Sequence, residues 1–232
     1  MAAAVASIAV GQTIGVAPGA DLYYIATARG GRGEDFAYLA RSIRRILGVN
    51  QQLPEERRIR VISMAIGWRP DVKGYNEVTS ATEEAKAAGM LVVCSSIEQV
   101  HGFKFHGLGR APLGDPEVFE SYEPGLWWAE RFYGGERFSD RLLVPMDSRT
   151  TAGPLGNDEY VFYRQGGWSW SIPYIAGVYA LAVQVDPAIT PERFWSLALE
   201  TGRTIELEHN DEIVPLGPII EPVALIDALE SD

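Results

Sequence analysis

The segment Gly166-Gly167-Trp168-Ser169-Trp170-Ser171-Ile172-Pro173-Tyr174-Ile175-Ala176-Gly177 holds the residues whose types and spacing could do chemistry. A serine hydroxyl is a weak nucleophile. It needs a base to take its proton and preorganised donors for the oxyanion that forms when it attacks a carbonyl. At the start of an apolar helix, Ser169 would have those donors in the free backbone N–H groups and the positive end of the helix dipole. Gly166 and Gly167 permit a tight turn and the close approach of a substrate chain. Pro173 falls in the first turn, where a missing N–H costs least. The same residues also suit a plain helix start, in which serine is an N-cap that follows a glycine turn.

A second catalytic reading fits locally. Gly167-Trp168-Ser169-Trp170-Ser171 approaches the G-x-S-x-G elbow of α/β-hydrolase esterases, between a strand and a helix, without the final glycine. Its partners would be Asp186 or Asp211 and then His209, which lies in the polar run ELEHNDE and reads as a solvated turn. His101 and His106 could offer a base, although in HGFKFHG a packed or exposed histidine is the default. Glu98, His101 and His106 match no standard ligand spacing, so neither a metal nor a cofactor is expected. Cys94 reads as a small buried hydrophobe. Tyr122, Trp127, Trp128, Phe132 and Tyr133 are either a peptide-binding surface or the small core of a long loop.

These residues must be positioned by the elements around them. The chain has 232 residues, 47% hydrophobic and 22% charged, which suits a single domain spanning 1–232. Its formal charge of −11 and lack of a Lys/Arg run argue against nucleic acid or an anionic membrane as partner. No apolar run reaches the roughly 18–20 residues of a membrane span. The single cysteine rules out an intrachain disulfide and fits a reducing compartment, so a cytoplasmic setting is favoured, with no signal to fix it. Apolar runs alternate with amphipathic segments through the first hundred residues, the α/β pattern. Helices are expected at about 2–10, Asp35–Leu47 and Asn76–Ala88, with Asn76 as a cap and Gly89 just past the end. Strands are expected at Asp21–Ala26, Arg60–Ile66 and Met90–Ser95. Between about 99 and 158 the pattern breaks into an irregular insertion in which only Arg141–Met146 reads as strand. A strand at Glu159–Arg164, the helix Ser169–Val185, a helix opened by Thr190-Pro191-Glu192 and a short helix at Pro222–Leu229 complete the reading.

Several of these segments together resemble the subtilisin-like serine peptidases. Gly167 to Gly177 match the frame of that family's G-T-S-M-A-S-P-H-V-A-G without a gap, with Ser169 in the nucleophile's place. AVASIAVGQTIGVAPGADLYYIA is similar to the stretch that follows the catalytic histidine, and VISMAIG to the strand that pairs with the substrate backbone. AKAAGMLVVCSS resembles the helix and strand that run into the A-A-G-N turn. The resemblance implies a subtilisin-like parallel sheet with helices on both faces. It implies endopeptidase chemistry through an acyl-enzyme on Ser169, and a peptide or protein substrate lying against Ala65, Ile66, Gly67, Ser95, Ser96, Gly167 and Trp168.

The departures from the family matter as much. In this alignment Met1 stands where the catalytic histidine should be, and the aspartate's strand would lie before it. The expectation is therefore a sheet without its leading strands, completed by an upstream polypeptide or by a dimer, or else a gene that starts further upstream. Glu98 replaces the asparagine that donates to the oxyanion, and an ionised carboxylate only accepts. Such a chain alone is expected to be inactive or nearly so, and the alternative role is that of a pseudopeptidase that binds a peptide or protein.

Overall fold

The computed structural model describes residues 2–26, 35–156 and 158–231. In chain order the elements are α1 (Ala2–Val10), α2 (Ala37–Asn50), β1 (Val61–Met64), α3 (Tyr75–Ala87), β2 (Leu91–Cys94), α4 (Ile97–His101), β3 (Phe105–Arg110), β4 (Tyr122–Pro124), α5 (Ala129–Tyr133), β5 (Leu142–Pro145), β6 (Arg149–Ala152), β7 (Tyr160–Tyr163), α6 (Trp168–Val185), α7 (Pro191–Glu200), β8 (Arg203–His209), β9 (Glu212–Ile219) and α8 (Pro222–Ser231). Strand β1 pairs in parallel with β2, and a five-stranded sheet runs β4-β3-β5-β9-β8 with parallel pairing at β3–β5 and β5–β9. The hairpin β6–β7 stands apart.

The unbroken apolar run Leu91-Val92-Val93-Cys94 is explained by cover on both faces. Leu91 and Val93 pack with Ile172, Ile175 and Val178 of α6, Phe194 of α7 and Leu225 of α8. Val92 and Cys94 face the other way, with Ile43 of α2 and Val78 and Ala81 of α3. Strand β5 repeats this division. Leu142 and Val144 join the α6 side, while Leu143 joins Leu108, Trp128 and Phe132. Helix α6 thus lies under β2 and β5 alike, and α1 packs against it through Ala4, Ile8 and Trp170. At Gly177 a Cβ would come within 2.7 Å of Val16, so the missing side chain lets the crossing close.

The amphipathic spacing of Leu39, Ala40 and Ile43 produces α2, whose polar side holds the Arg44–Glu84 ion pair at 2.7 Å. Thr190 caps α7 by accepting from Arg193 N–H at 3.1 Å, with Pro191 at the first helical position.

Four expectations are corrected. Asp21–Ala26 forms no strand: Leu22, Tyr23 and Tyr24 are exposed on unpaired chain, because apolar alternation makes a strand only where a neighbour supplies the ladder. Helix α3 starts from Gly74, at φ +80°, and Asn76 lies inside it rather than capping it. The region 99–158 is far less irregular than expected, since it contributes β3, β4, β5, β6 and α5. The ELEHNDE run is a hairpin between β8 and β9, whose turn residues Asn210 and Asp211 have φ of 52° and 62°.

Candidate active site

Ser169 is the second residue of α6. The cap position belongs to Gly167, which is extended (φ −167°, ψ 172°) and has no side-chain cap bond. The Ser169 hydroxyl is half-buried and makes no hydrogen bond among the described residues. Its neighbour Ser171 is spent on structure, donating to the Pro145 carbonyl at 3.3 Å in the core. The plain cap reading therefore lacks the hydrogen bond that would define it.

The end of β5 grips the turn that carries Ser169. The Asp147 carboxylate accepts from Gly166 N–H at 2.6 Å and from Leu126 N–H at 2.8 Å. Any Cβ on Gly166 would meet the Met146 carbonyl oxygen at 2.2 Å, so glycine is required at this approach. Trp168 leans the other way, onto Phe105 (5.1 Å between ring centroids), Trp127 (5.6 Å) and His106 (5.8 Å). Its indole N–H is buried without an acceptor among the described residues.

Gly67, Ser95, Ser96 and Glu98 line one open pocket of about 500 Å³, together with Trp68, Arg69 and Gln99. Ser96 ties its two walls, since its hydroxyl accepts from Trp68 N–H at 2.8 Å and donates to Trp68 C=O at 2.9 Å. Ser95 N–H donates to Ile66 C=O at 3.0 Å, which holds the Ala65-Ile66-Gly67 segment beside the end of β2. Ser169, Gly167 and Trp168 are not among the residues lining this pocket. Glu98 belongs to the first turn of α4, exposed, with Lys104 at 3.9 Å.

The histidines are engaged elsewhere. His101 accepts from Val92 N–H at 3.2 Å and stacks on Phe103, and burial pushes its pKa down to about 4. His106 accepts from Gly107 N–H at 2.9 Å inside a ring of Trp127, Trp128, Phe138 and Trp168. Burial first, then Arg141 and Arg131, push its pKa down to about 4 as well. His209 stacks on Tyr133 at 3.8 Å at the end of edge strand β8, and Asp211 is in the adjoining turn. Cys94 is core, its thiol pushed up to about 12 by burial. Trp128 and Phe132 are core too, whereas Trp127 is exposed. Among the described residues no group of His, Cys, Asp and Glu could hold a metal.

Sequence reasoning missed Asp147 and Ser171. An acidic residue directly after a buried strand, in LLVPMD, was the available signal for Asp147.

A parallel-strand core over a buried helix, with Ser169 at that helix's N-terminus, defines a mixed α/β protein. The family profile of Peptidase S8, the subtilase family, matches residues 2–121, and the chain belongs to that family. No curated protein sequence matches it. Solved structures with the same fold include the self-cleaved protease domain of PatA, at 17% identity and a TM-score of 0.60, covering 98% of this chain and 82% of that one. The A subunit of the AB5 toxin from E. coli gives 16% and 0.61, covering 97% and 77%. The PatG macrocyclase domain gives 16% and 0.60, covering 100% and 64%.

Proposed function

We propose that this chain is a subtilase-type peptidase domain that takes an extended peptide along Ala65, Ile66 and Gly67 and presents Ser169 to a peptide carbonyl. The observation that carries this reading is the Ser169 hydroxyl itself, which makes no hydrogen bond among the described residues at the N-terminus of α6. In the implied reaction the Ser169 oxygen bonds to the carbonyl carbon, its proton passes to a base and then to the leaving amine, and water releases the acyl group. The free N–H groups at the start of α6 are the donors this reading assigns to that carbonyl, while Ser95, Ser96 and Glu98 line the pocket beside Gly67 that would take the peptide.

A base is the missing part. His101 and His106 are held neutral inside packed surroundings and His209 stacks on Tyr133, so none of the three is placed to act as base in this reading. The reading is therefore a subtilase-type domain inactive or nearly so on its own, with a peptide-binding pseudopeptidase as the alternative.

A fluorophosphonate probe combined with peptide-binding measurements tests the reading. Bound peptide with no labelling is expected. Labelling that disappears in Ser169→Ala would show a working base and overturn the inactivity. Absence of both labelling and binding would overturn the cleft.

A further inference from the structure

The aromatic residues between β4 and α5 divide sharply: Trp128 and Phe132 are buried, whereas Trp127 is 49% exposed and Leu126 beside it 47%. A large apolar side chain at the surface is ordinary when it stands alone. Trp127 does not stand alone. Its ring meets Trp168 edge to face at 5.6 Å and His106 at 5.3 Å, and Trp168 packs in turn on Phe105 at 5.1 Å. Phe105 and His106 are buried, so the exposed rings rest on a closed floor. What lies uncovered is an apolar platform made of Leu126, Trp127 and the open part of Trp168.

The platform is fixed before anything binds to it. The Trp127 indole N–H donates to Met146 Sδ at 3.1 Å, which engages its one polar side-chain atom and leaves ring surface to face outward. Leu126 N–H donates to the Asp147 carboxylate at 2.8 Å, and Trp128 N–H to Gly125 C=O at 3.0 Å. The Trp168 indole N–H is buried with no acceptor among the described residues, so apolar packing holds that ring at the cost of an unmet donor. Both rings are thus placed for their surfaces. Rings held in this way offer contact area with little conformational freedom left to lose on binding.

The platform is continuous with the candidate nucleophile. Trp168 directly precedes Ser169 in the first turn of α6. The Asp147 carboxylate that holds Leu126 N–H also holds Gly166 N–H at 2.6 Å, so one side chain ties the platform to the serine turn. The residues that line the Gly67 pocket are a different set, without Leu126, Trp127 or Trp168. We infer that Leu126, Trp127 and Trp168 form a second contact surface of the peptide cleft, which takes an aromatic side chain of the peptide whose carbonyl faces Ser169. This inference rests on the peptide-cleft reading and adds the substrate class. An aromatic side chain fits because its ring can lie offset or edge-on against the Trp127 ring, gaining more than the buried area alone supplies.

Fluorescence anisotropy with the wild-type chain and a set of labelled, end-blocked peptides tests this. The parent peptide is built of Ala, Ser and Gly, and each further member carries a single Phe at a different position. At one position Phe should tighten binding about tenfold, the size of a good aromatic pair. That gain should vanish in Trp127→Ala and persist in part in Trp127→Phe, while the parent peptide binds all three proteins alike. A gain at no position, or one unchanged in Trp127→Ala, overturns the platform and leaves the cleft standing. Failure of every peptide to bind overturns both. Sedimentation of the same proteins addresses a rival occupant: self-association of the wild-type chain that is lost in Trp127→Ala would give the surface to a second copy and overturn the peptide role. The wild-type comparison needs no variant to fold.

Discussion

The carboxylate of Asp147 and the backbone N–H of Gly166 meet at 2.6 Å, three residues before Ser169. Asp147 is almost fully buried, and its other oxygen accepts from Leu126 N–H at 2.8 Å. One side chain at the end of β5 therefore fixes both the serine turn and the start of the aromatic segment that carries Trp127 and Trp128. Asp147→Ala leaves two amides without acceptors and should cost about 2–3 kcal/mol, read as a shift in urea midpoint. Peptide affinity should fall more than stability alone explains, since the turn loses its position while the fold persists. Asp147→Asn keeps an acceptor oxygen and should recover much of that affinity. An alanine variant with unchanged peptide affinity would make the contact merely structural.

Ser169 and Ser171 are two residues apart and do opposite work. Ser171 donates to the Pro145 carbonyl in the core, whereas Ser169 holds no hydrogen bond among the described residues. Ser169→Ala should change unfolding free energy by less than about 0.5 kcal/mol, the range of substitutions that remove no interaction. A capping serine would have cost about 1 kcal/mol. Ser171→Ala should cost about 0.5–1 kcal/mol through its lost bond. Chemical denaturation of both variants decides this, and a loss at Ser169 as large as at a true cap would return that residue to a structural role.

What the sequence made legible was local. The spacing of Leu39, Ala40 and Ile43, the Thr190-Pro191 start and the apolar run at Leu91–Cys94 each declare an element through neighbours a few residues away, and each formed. Strand β3 was hidden because Gly107 and Gly109 break its apolar pattern. Those glycines exist to admit Met146 and Pro124, whose nearest atoms would lie 2.1 and 2.7 Å from an added Cβ. Asp21–Ala26 misled in the opposite sense, being strand-like in composition but without a partner strand. In the site, the serine frame was readable as a contiguous motif. Asp147 was not, because it acts on residues 19 and 21 positions away.

Gly67 is a tight point in the pocket wall. A Cβ there would come within 2.8 Å of the Ser96 hydroxyl oxygen and 2.9 Å of the Ser95 Cβ, closer than atoms in a packed core settle. Gly67→Ala must therefore push the end of β1 off the end of β2 and disturb the pair of Trp68–Ser96 hydrogen bonds. A cost of about 1–3 kcal/mol is expected, the range for overpacking, together with weaker peptide binding. Thermal unfolding and peptide titration check the two halves separately. A variant as stable and as tight-binding as the parent would show that the wall is not closed at this point.

Stability should fall on mild acidification before the surface carboxylates titrate. His101 and His106 have pKa values of about 4 in the folded chain, below the ordinary imidazole value of 6.5, with burial as the first cause for both. A histidine depressed on folding is charged more readily in the unfolded chain, so protons favour unfolding between the two values. The stabilising contribution is complete above pH 6.5 and declines as pH falls toward about 4, where both states are protonated. Each histidine should account for about 1–3 kcal/mol across that window. The lowered pKa values of Asp35, Glu84 and Asp140 start from 3.8–4.5, so their ion pairs act mostly at the acid end of the window and below it. Urea midpoints at pH 7.5, 6, 5 and 4.5 should decline steadily in the wild type and less in His106→Phe, which keeps an aromatic ring among Trp127, Trp128 and Phe138. A wild-type midpoint that stays flat down to pH 4.5 would mean that neither imidazole is held neutral.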